Sequence, residues 1–335
     1  MFKKLVASLS LICILVTPLS IAHAAKDKDK IKIGWVFAMA NAPILIAEQK
    51  GYFKEMGVEV EALTFSSGPL VHQALAAGEL DMAYIGAPPV YHWFSRGLNS
   101  RILAKVNYGQ AAVMVRKGEG IKTVADLKGK KLAGVRKGSG MDVLLRGYVL
   151  GEHAKLVPGK DIHVVPMKSG NMGPSLEQKV VDGAFMWEPF TSQFELRGNT
   201  EVIFDMNKAV PQYPWYIIMA MPEAMEKKKS GIIKVLKAHK KAVDFLNSSP
   251  TAGNDLIAKA FKLQDVTNEK TGKKYTGVDI VANARKRLGW AYELTDKDSA
   301  FVQRLMDYSY DLKYIKKKLK ATDIIDTSYM NEALK

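Results

Sequence analysis

Short apolar runs alternate with longer segments of helical spacing along most of the chain. Runs at Ile31–Val36, Val58–Phe65 and Met82–Ile85 predict strands, and the helical segments between them end at glycines, which commonly close helices. Strands that alternate with helices of this length are typical of a mainly parallel sheet with helices on both faces. The pattern therefore predicts an α/β fold.

A nine-residue stretch, Val181–Pro189, resembles one that lies 101 residues earlier in the chain. The displacement aligns Asp81 with Asp182, and in both stretches an apolar run ends at a proline that suits the first turn of a helix. A second similarity lies near the same displacement, between Ile33–Trp35 and Ala133–Val135. The repeat predicts two similar α/β lobes that present equivalent strand ends to one another.

The two predicted lobes are not continuous in sequence. We expect lobe 1 to comprise residues 25–115 and 216–335, including the C-terminal helices, and lobe 2 to comprise residues 116–215. The chain then crosses between the lobes near Val115–Gly118 and near Met206–Trp215, which is a hinge architecture. Strand ends that face each other across the gap form a ligand cleft.

Further elements follow from local patterns alone. One helix is expected over Ile44–Met56, with Gly51 weakening its middle, and a loop at Lys168–Gly173 is expected to precede a helix at Pro174–Val181. The strand Ala111–Arg116 is assigned to the end of lobe 1. The remaining predicted helices cover Met141–His153, Pro222–Leu246, Thr251–Lys262 and Asp298–Lys320, with a loop at Thr267–Thr276.

Residues 1–24 have the composition of a secretory signal peptide. Lys3 and Lys4 form the charged start, Leu5–Ile21 the apolar core, and Ala22–Ala24 the small-x-small cleavage site. The only cysteine, Cys13, lies inside this segment, so the mature chain has no disulfide and no thiol chemistry. We expect cleavage at the end of this segment and export to a bacterial periplasm.

The formal net charge is +15, or +13 once Lys3 and Lys4 leave with the signal peptide. The excess lies in residues 216–335, which carry a net charge of +8, in runs such as Lys227–Lys229 and Lys316–Lys318. These runs interrupt helical patterns, and the simplest interpretation is a solvated basic face. No nucleic-acid recognition motif accompanies them, so no nucleic-acid partner is expected.

The sequence lacks motifs typical of catalysis. It has no Gly-x-Ser-x-Gly elbow, and Gly138-Ser139-Gly140 lacks the Lys-Ser/Thr ending of a phosphate-binding loop. The histidines of the mature chain do not have metal-ligand spacing. The pattern favours a binding protein that is not an enzyme and that needs no metal and no cofactor. The histidines are His72, His92, His153, His163 and His239.

Three stretches contain helix starts that are expected to face the cleft: Ser66–Pro69, Gly86–Pro89 and Lys137–Gly140. A helix start offers unpaired N–H donors and about half a positive charge, so it binds anions without a basic side chain. The hydroxyls of Ser67 and Ser139 can add a hydrogen bond to such an anion, or can merely cap their own helices. We expect a small organic anion as the ligand, bound by these two serines.

Aromatic residues beside these starts are further candidates for the cleft. Trp187 and the pair Trp215–Tyr216 can form an aromatic wall, although Trp187 is equally suited to core packing. Trp35, Phe37 and Asn41 follow the first strand and can line the same cleft. Asn41 lies before a proline, so it is also suited to a turn or a helix cap.

Glu188 ends an apolar strand, where an unpaired carboxylate is costly. It can pair with Lys137 or Lys168, act on the dipole of the following helix, or accept a hydrogen bond from a ligand amine or hydroxyl. If Glu188 contacts the ligand, we expect it to favour a zwitterion such as taurine over a plain alkanesulfonate.

Several motifs together resemble the periplasmic substrate-binding proteins of ABC importers for nitrate, alkanesulfonates and taurine. The similarity extends in order from Ile31 to about Leu246, and the C-terminal helices resemble the family only loosely. The motifs are Gly51-Tyr52-Phe53, Met56-Gly57-Val58, Phe65-Ser66-Ser67-Gly68-Pro69, Ala74-Leu75-Ala76-Ala77-Gly78-Glu79-Leu80-Asp81, Asp126-Leu127-Lys128-Gly129-Lys130, Gly138-Ser139 and Trp187-Glu188-Pro189.

The resemblance implies a monomeric, hinged protein that closes on one small ligand and delivers it to an ABC permease in the inner membrane. By position it implies ligand contacts near Phe37, Asn41, Ser67, Gly68, the stretch Gly86–Pro88, Ser139 and the pair Trp187–Glu188. With the residues argued above, the candidate ligand-binding set is Trp35, Phe37, Asn41, Ser67, Gly68, Gly86, Ala87, Pro88, Ser139, Asn171, Trp187, Glu188, Trp215 and Tyr216.

Two other functions are compatible with the sequence. An exported sensor that reports its ligand to a membrane kinase has the same pattern as a transport receptor. Members of the broad family also bind aromatic acids and pyrimidine precursors, and the thiamine-pyrimidine synthases share the fold. A synthase of that kind resembles this chain less, because it requires a cysteine cluster that the mature chain lacks.

Overall fold

The computed structural model describes residues 30–335, so the predicted signal segment 1–24 and Cys13 lie outside the described part. Two five-stranded sheets form the framework of this part, and two pairs of short strands lie beside them. The strands are β1 (Lys30–Val36), β2 (Glu59–Phe65), β3 (Met82–Gly86), β4 (Arg101–Lys105), β5 (Asn107–Gly109), β6 (Ala111–Arg116), β7 (Lys131–Gly134), β8 (His163–Pro166), β9 (Gly183–Trp187), β10 (Thr200–Asp205), β11 (Tyr216–Ala220), β12 (Val266–Thr267), β13 (Lys274–Tyr275) and β14 (Leu288–Trp290).

The two large sheets have the same topology. Their strand orders are β2-β1-β3-β11-β4 and β8-β7-β9-β6-β10. In each sheet four strands run in one direction, and the fourth strand in the order runs antiparallel to its two neighbours. In the first sheet this strand is β11, which follows the strands of the second sheet in the chain. In the second sheet it is β6, which follows strands β1–β4 of the first sheet. This arrangement confirms the α/β fold with two lobes built on mainly parallel sheets.

The repeat seen in the sequence is also a structural repeat. The Asp81 carboxylate accepts a hydrogen bond from the backbone N–H of Lys32 at 2.8 Å, and the Asp182 carboxylate accepts one from Lys131 at 2.8 Å. Each aspartate directly precedes the central strand of its sheet, and its carboxylate is hydrogen-bonded to the neighbouring parallel strand, β1 or β7. The alignment of Asp81 with Asp182 is therefore confirmed.

The strand register shifts the expected alignment of Ile33–Trp35 with Ala133–Val135 by one residue. Gly34 lies opposite Ala83 in the first sheet, and Ala133 lies opposite Ala184 in the second. Because Ala83 and Ala184 are equivalent, Gly34 corresponds to Ala133 rather than to Gly134. The reason is that the connection from β7 to β9 is two residues longer than the one from β1 to β3.

The strand Ala111–Arg116 belongs to the second sheet, which corrects the end of lobe 1 expected at residue 115. It is hydrogen-bonded to β9 on one side and to β10 on the other. All of its residues are buried, so its apolar pattern predicts a strand without indicating which sheet receives it. The first crossing lies at Asn107–Gly109 and not at Val115–Gly118.

The two crossings run side by side. Trp215 donates its backbone N–H to the carbonyl of Asn107 at 3.2 Å, and Tyr216 donates its own to Asn107 Oδ1 at 2.8 Å. A third segment, β14, pairs antiparallel with β5 and brings Leu288 opposite Gly109. We therefore propose a hinge of two crossings that is braced by a segment from the C-terminal region.

Helices cover the faces of both sheets. A π-helix over Leu144–His153 continues α5, and short 3-10 turns cover Met39–Asn41, Val124–Leu127 and Ala321–Asp323. The α-helices are α1 (Ala42–Gln49), α2 (Tyr52–Glu55), α3 (Gly68–Ala76), α4 (Ala87–Phe94), α5 (Gly140–Val143), α6 (Ser169–Glu177), α7 (Phe190–Arg197), α8 (Met206–Ala209), α9 (Pro222–Lys227), α10 (Lys229–Ser248), α11 (Pro250–Ala260), α12 (Gly277–Ala284), α13 (Asp296–Asp311) and α14 (Ser328–Ala333).

Two helix predictions need correction in the lobes. Gly51 divides the single helix expected over Ile44–Met56, because its φ of +70° is left-handed and separates α1 from α2. The loop expected at Lys168–Gly173 is helical, because α6 starts at Ser169 and contains Pro174. Proline is common at the first position of a helix, and that preference placed the predicted start five residues late.

The C-terminal region differs most from the sequence prediction. The strand pair β12 and β13 lies in the segment expected to be a loop, and the pattern does not predict α12 or β14. The helix expected to reach Lys320 ends at Asp311, and Lys228 separates α9 from α10. No helix within residues 30–335 is long and apolar enough to span a bilayer.

Helix α13 of this region contacts both lobes. At its start, the Asp298 carboxylate accepts two hydrogen bonds of 2.7 Å from Lys105 Nζ, which ends β4, and both side chains are buried. Further along, Arg304 and Tyr308 hydrogen-bond to the Glu152 carboxylate in the π-helix of the second lobe. The C-terminal region is therefore part of the connection between the lobes.

Candidate functional site

Three helix starts meet between the two sheets. A Cβ atom at Gly68, where α3 begins, would lie 3.0 Å from Cγ of Pro89 in the first turn of α4. A Cβ atom at Gly140, where α5 begins, would lie 3.3 Å from Cγ of Pro88 and 3.4 Å from the ring of Trp215. Glycine permits these close approaches because it has no side chain. The structure thus brings together the three stretches that the sequence singled out.

The start of α3 is the most open of the three. Ser67 is its N-cap residue, is half-buried, and makes no side-chain cap hydrogen bond. Within residues 30–335 its hydroxyl has no hydrogen-bond partner, so it is free to donate to a ligand. The backbone N–H of Gly68 lies in the same first turn, where the helix dipole favours an anion.

The start of α4 has fewer free donors than the sequence analysis expected. The backbone N–H of Ala87 donates to the carbonyl of Trp215 at 3.3 Å. Pro88 and Pro89 follow, and proline has no N–H group. Gly86 ends β3, and a Cβ atom there would lie 4.0 Å from the same carbonyl oxygen. This stretch therefore acts as a wall that separates the other two helix starts.

The start of α5 is partly occupied by a carboxylate of its own helix. Asp142, which is fully buried, accepts a hydrogen bond from the backbone N–H of Gly138 at 2.9 Å. Its own N–H donates to Ser139 Oγ at 3.3 Å, so Ser139 is a helix cap. The Ser139 hydroxyl proton remains available for a ligand, together with the backbone N–H of Gly140.

The position of Asp142 is fixed from the C-terminal region. Its carboxylate also accepts hydrogen bonds from Arg146 Nε at 2.6 Å and from the Tyr314 hydroxyl at 2.6 Å. Burial and the adjacent Asp142 carboxylate together raise the pKa of the Tyr314 hydroxyl, which therefore remains a donor at neutral pH. Tyr314 lies beyond α13, so the same region that joins the lobes also orients the start of α5.

The aromatic candidates near the first sheet have different environments. Trp35 is only 3% exposed, whereas Phe37 is 49% exposed. The Phe37 ring lies 5.6 Å from the Trp35 ring and 4.5 Å from that of Phe261, which follows α11. Trp35 is a core residue, and Phe37 presents an accessible ring at the carboxyl end of β1.

The aromatic residues near the crossings also differ. Trp187 is half-buried at the end of β9, 6.2 Å from the ring of Phe190. Trp215 is 3% exposed and packs against Tyr213, with ring centroids 6.4 Å apart. Tyr216 is half-buried, and burial raises the pKa of its hydroxyl, which is therefore neutral at physiological pH. Trp187 and Tyr216 keep accessible surface, and Trp215 is structural.

Glu188 is fully buried, and the chain itself satisfies its carboxylate. Arg287 Nε donates to Oε1 at 2.6 Å, and the backbone N–H of Ser192 donates to Oε2 at 3.1 Å. Its partner is neither Lys137 nor Lys168. This geometry corrects the expectation that Glu188 reads a ligand amine, because neither carboxylate oxygen is accessible to one.

Arg287 lies between two carboxylates, those of Glu188 and Glu195. Its guanidinium also donates to Glu195 Oε2 at 2.7 Å and to Ser192 Oγ at 3.2 Å. Burial opposes its charge, but the carboxylates of Glu188 and Glu195 hold the pKa of Arg287 above its usual value. Burial raises the pKa of Glu188, and hydrogen bonds from Arg287 and Asn283 outweigh burial to lower the pKa of Glu195. The cluster ties β9 and α7 of the second lobe to the C-terminal region.

The two asparagine candidates do not line the site in the same way. Asn41 is fully buried, and its Nδ2 donates to the carbonyls of Val36 at 2.8 Å and Tyr84 at 3.4 Å. Its Nδ2 therefore closes the carboxyl ends of β1 and β3, which agrees with a turn role, whereas its Oδ1 is buried without a donor among the described residues. Asn171 is exposed on α6, and its backbone N–H bonds to Lys168.

The sequence analysis missed Arg287. Glu188 could have indicated such a partner, because a buried carboxylate needs a cation that makes several hydrogen bonds, and arginine does so better than lysine.

Two cavities, of about 510 and 420 Å³, lie at other surfaces, around Arg101 and around Lys229. Within the described residues, no cluster of three or more His, Cys, Asp or Glu side chains is arranged to hold a metal ion.

The two lobes joined by two crossings have the periplasmic binding protein fold. A family model described as the NMT1-like family matches residues 24–261, and the chain belongs to that family. A protein of Brucella abortus (strain 2308) that is named as a binding protein is 28% identical over 287 residues, which cover 82% of this chain and 86% of that protein.

Solved structures extend the comparison. The periplasmic aliphatic sulphonate binding protein SsuA from Escherichia coli has a TM-score of 0.75 and 23% identity, covering 89% of this chain and 92% of that chain. The ligand binding component of an ABC-type import system from Staphylococcus aureus has a TM-score of 0.69 and 16% identity, covering 91% of this chain and 99% of that chain. At these identities the likeness establishes the fold.

Proposed function

We propose that this chain is an exported, non-catalytic receptor of an ABC importer. It holds a small organic anion of the sulfonate class between its two lobes and delivers it to a permease in the inner membrane. Family membership, the binding-protein names of its relatives and the signal-peptide pattern support this proposal.

One observation carries the proposal for the ligand. The Ser67 helix start of the first lobe and the Ser139 helix start of the second lobe lie on either side of the Pro88–Pro89 turn. Each offers a hydroxyl proton and a backbone N–H, at Gly68 and Gly140, and Arg136 and Lys137 directly precede the Ser139 start in the chain. Donors from two lobes suit an acid group with several equivalent oxygen atoms, and a sulfonate has three.

The accessible aromatic rings support an organic anion rather than a bare inorganic one. Phe37 is half-exposed at the end of β1, and Trp187 and Tyr216 are half-buried near the crossings. Such rings pack against a carbon chain and exclude water from the acid group, which strengthens its hydrogen bonds.

Titration calorimetry of the mature protein against methanesulfonate, ethanesulfonate, taurine, nitrate and benzoate tests the proposal. A sulfonate is expected to bind most tightly. Ser67→Ala and Ser139→Ala are each expected to weaken its binding by about 1–3 kcal/mol, because a charged acceptor loses a donor in a closed site.

Ser249→Ala is a matched control for Ser67→Ala. Ser249 also precedes a proline-containing first turn, that of α11, and also makes no side-chain cap hydrogen bond. It is expected to leave sulfonate affinity unchanged. The proposal is wrong if neither site variant changes the affinity, or if the protein binds none of these anions.

A further inference from the structure

Gln110 occupies the point at which the chain passes from the first lobe to the second. It lies between β5 and β6, beside the return crossing at Tyr213–Tyr216. Its backbone N–H donates to the carbonyl of Arg287 at 2.8 Å, and its carbonyl accepts from the backbone N–H of Glu188 at 3.2 Å. The backbone of Gln110 is therefore held in place where the first crossing enters the second sheet.

The backbone of Gln110 has a rare conformation. Its φ is +102°, in a region that residues with a side chain seldom adopt. The preceding residue, Gly109, also has a positive φ, of +74°, so both residues turn the chain sharply at the crossing. Backbone in this region persists only where the surroundings hold it, and such positions cluster at ligand-binding sites.

The side-chain amide of Gln110 lacks the partner that its burial requires. The residue is 1% exposed, and Oε1 finds no hydrogen-bond donor among the described residues. A buried acceptor without a donor is rare in folded proteins, because its hydration is lost without compensation. A group outside this chain is the natural partner.

Two half-buried aromatic residues adjoin this position. Trp187 lies opposite Ala111, the next residue in the chain, and Tyr216 is hydrogen-bonded through its backbone to Asn107 at the other end of the crossing. An organic anion that packs against these rings would therefore lie beside Gln110.

We propose that Gln110 is a ligand-binding residue whose Oε1 accepts a hydrogen bond from an N–H or O–H group of the bound anion. The inference rests on the proposed function and deepens it, because it selects organic anions that carry a donor. The neutral amide of Gln110, rather than the Glu188 carboxylate, then accepts a hydrogen bond from the ligand amine or hydroxyl. A neutral acceptor takes both an ammonium and a hydroxyl, whereas a carboxylate would favour the ammonium.

Three sulfonates of matched size separate these possibilities: ethanesulfonate, isethionate with a hydroxyl, and taurine with an ammonium. The wild-type protein is expected to bind at least one of the last two more tightly than ethanesulfonate. Gln110→Leu keeps the size of the side chain and removes its acceptor. It is expected to weaken that preferred ligand about tenfold or more and to change ethanesulfonate affinity less than about twofold.

A thermal melt of each ligand-free variant accompanies the calorimetry. Gln110→Leu is expected to melt at or above the wild-type temperature, because it removes an unpartnered buried amide. Gln73→Leu, at an exposed position on α3, is the matched control and is expected to bind all three anions as the wild type does.

Three results overturn the inference. An equal loss of affinity for the three anions means that Gln110 only shapes the cleft. A lower melting temperature with unchanged affinities means that its amide is structural. Unchanged affinity and unchanged melting would leave the proposed receptor function intact and remove Gln110 from the site. A wild-type protein that binds no sulfonate instead contradicts the proposed function itself, and the inference with it.

Discussion

Arg287 donates its guanidinium Nε to Oε1 of Glu188 across 2.6 Å, and both side chains are buried. The carbonyl of the same arginine accepts the backbone N–H of Gln110 at the first crossing. Arg287 therefore joins three parts of the molecule: the crossing, the end of β9 and the C-terminal region.

Arg287→Ala is expected to lower the free energy of unfolding by about 3–5 kcal/mol, because it leaves the buried Glu188 carboxylate without its cation. Glu188→Gln is expected to cost less, since the amide oxygen still accepts a hydrogen bond from Arg287. Urea denaturation measures both values.

Arg197→Ala is the control for the ion pair. Arg197 pairs with Glu269 at 3.1 Å and with Glu177 at 3.4 Å, but its own side chain is 36% exposed. Such pairs contribute about 0–1 kcal/mol. Equal effects of the substitutions at Arg287 and Arg197 would contradict a structural role for the buried cluster.

Gly109 and Gly78 have the same backbone φ, of +74°, in different surroundings. A Cβ atom at Gly109 would lie 1.9 Å from the carbonyl oxygen of Arg287, whereas one at Gly78 meets nothing within 4 Å. Gly78→Ala is expected to cost about 1–2 kcal/mol for its left-handed backbone alone. Gly109→Ala must also separate β5 from β14, so it is expected to destabilise the protein by clearly more in the same urea experiment. Similar losses would mean that β14 does not brace the crossing.

Two buried histidines, His72 and His239, and the half-buried His92 make stability depend on pH. Burial lowers the pKa of His72 to about 3, and that of His92 and His239 to about 4. In the unfolded chain each pKa is about 6.5, so below that pH the unfolded state binds protons that the folded state does not. The free energy of unfolding is therefore expected to fall between about pH 6.5 and pH 4, by about 1.4 kcal/mol per pH unit for each histidine.

His72→Phe tests this pH dependence. Neither ring nitrogen of His72 has a partner among the described residues, and the ring stacks on Trp93 at 5.8 Å, which phenylalanine can also do. Between pH 6 and pH 5 the slope of unfolding free energy against pH is expected to fall by about 1.4 kcal/mol per unit. An unchanged slope would mean that His72 takes up its proton in the folded protein.

Gly140 of the second lobe lies against Pro88 of the first lobe and against Trp215 of the return crossing. Gly140→Val is expected to act as a wedge that holds the lobes apart, increases the radius of gyration without ligand and lowers sulfonate affinity. Small-angle scattering measures the first effect. Gly170→Val is the control in the same lobe, because a Cβ atom there meets nothing within 4 Å. If the Gly140 variant has the wild-type radius, contact at this point does not set the distance between the lobes.

The sequence was sufficient to predict most strands of the two lobes and, to within two residues, the starts of α3, α4 and α5. Asp81 and Asp182 could be aligned because each begins a central strand that is buried on both faces, and such strands have distinctive apolar runs. The starts of α3 and α5, which the sequence placed at strand–helix junctions, both lie against the first turn of α4. These features depend on local periodicity, which a single sequence contains.

The features that the sequence did not predict depend on contacts between distant parts of the chain. The apolar run of β6 does not specify its sheet, and nothing local links Glu188 to Arg287, 99 residues later. By contrast, the missing donors at Pro88 and Pro89 were visible in the sequence, because proline has no N–H group.

A crystal structure of the protein with the sulfonate that binds most tightly tests the central claim most directly. The acid group is expected between the lobes, with its oxygen atoms within about 3 Å of Ser67 Oγ and of the Gly140 backbone nitrogen. A well-ordered sulfonate bound at another surface, such as the cavity beside Lys229, with the space between Ser67 and Gly140 holding none, would contradict the account.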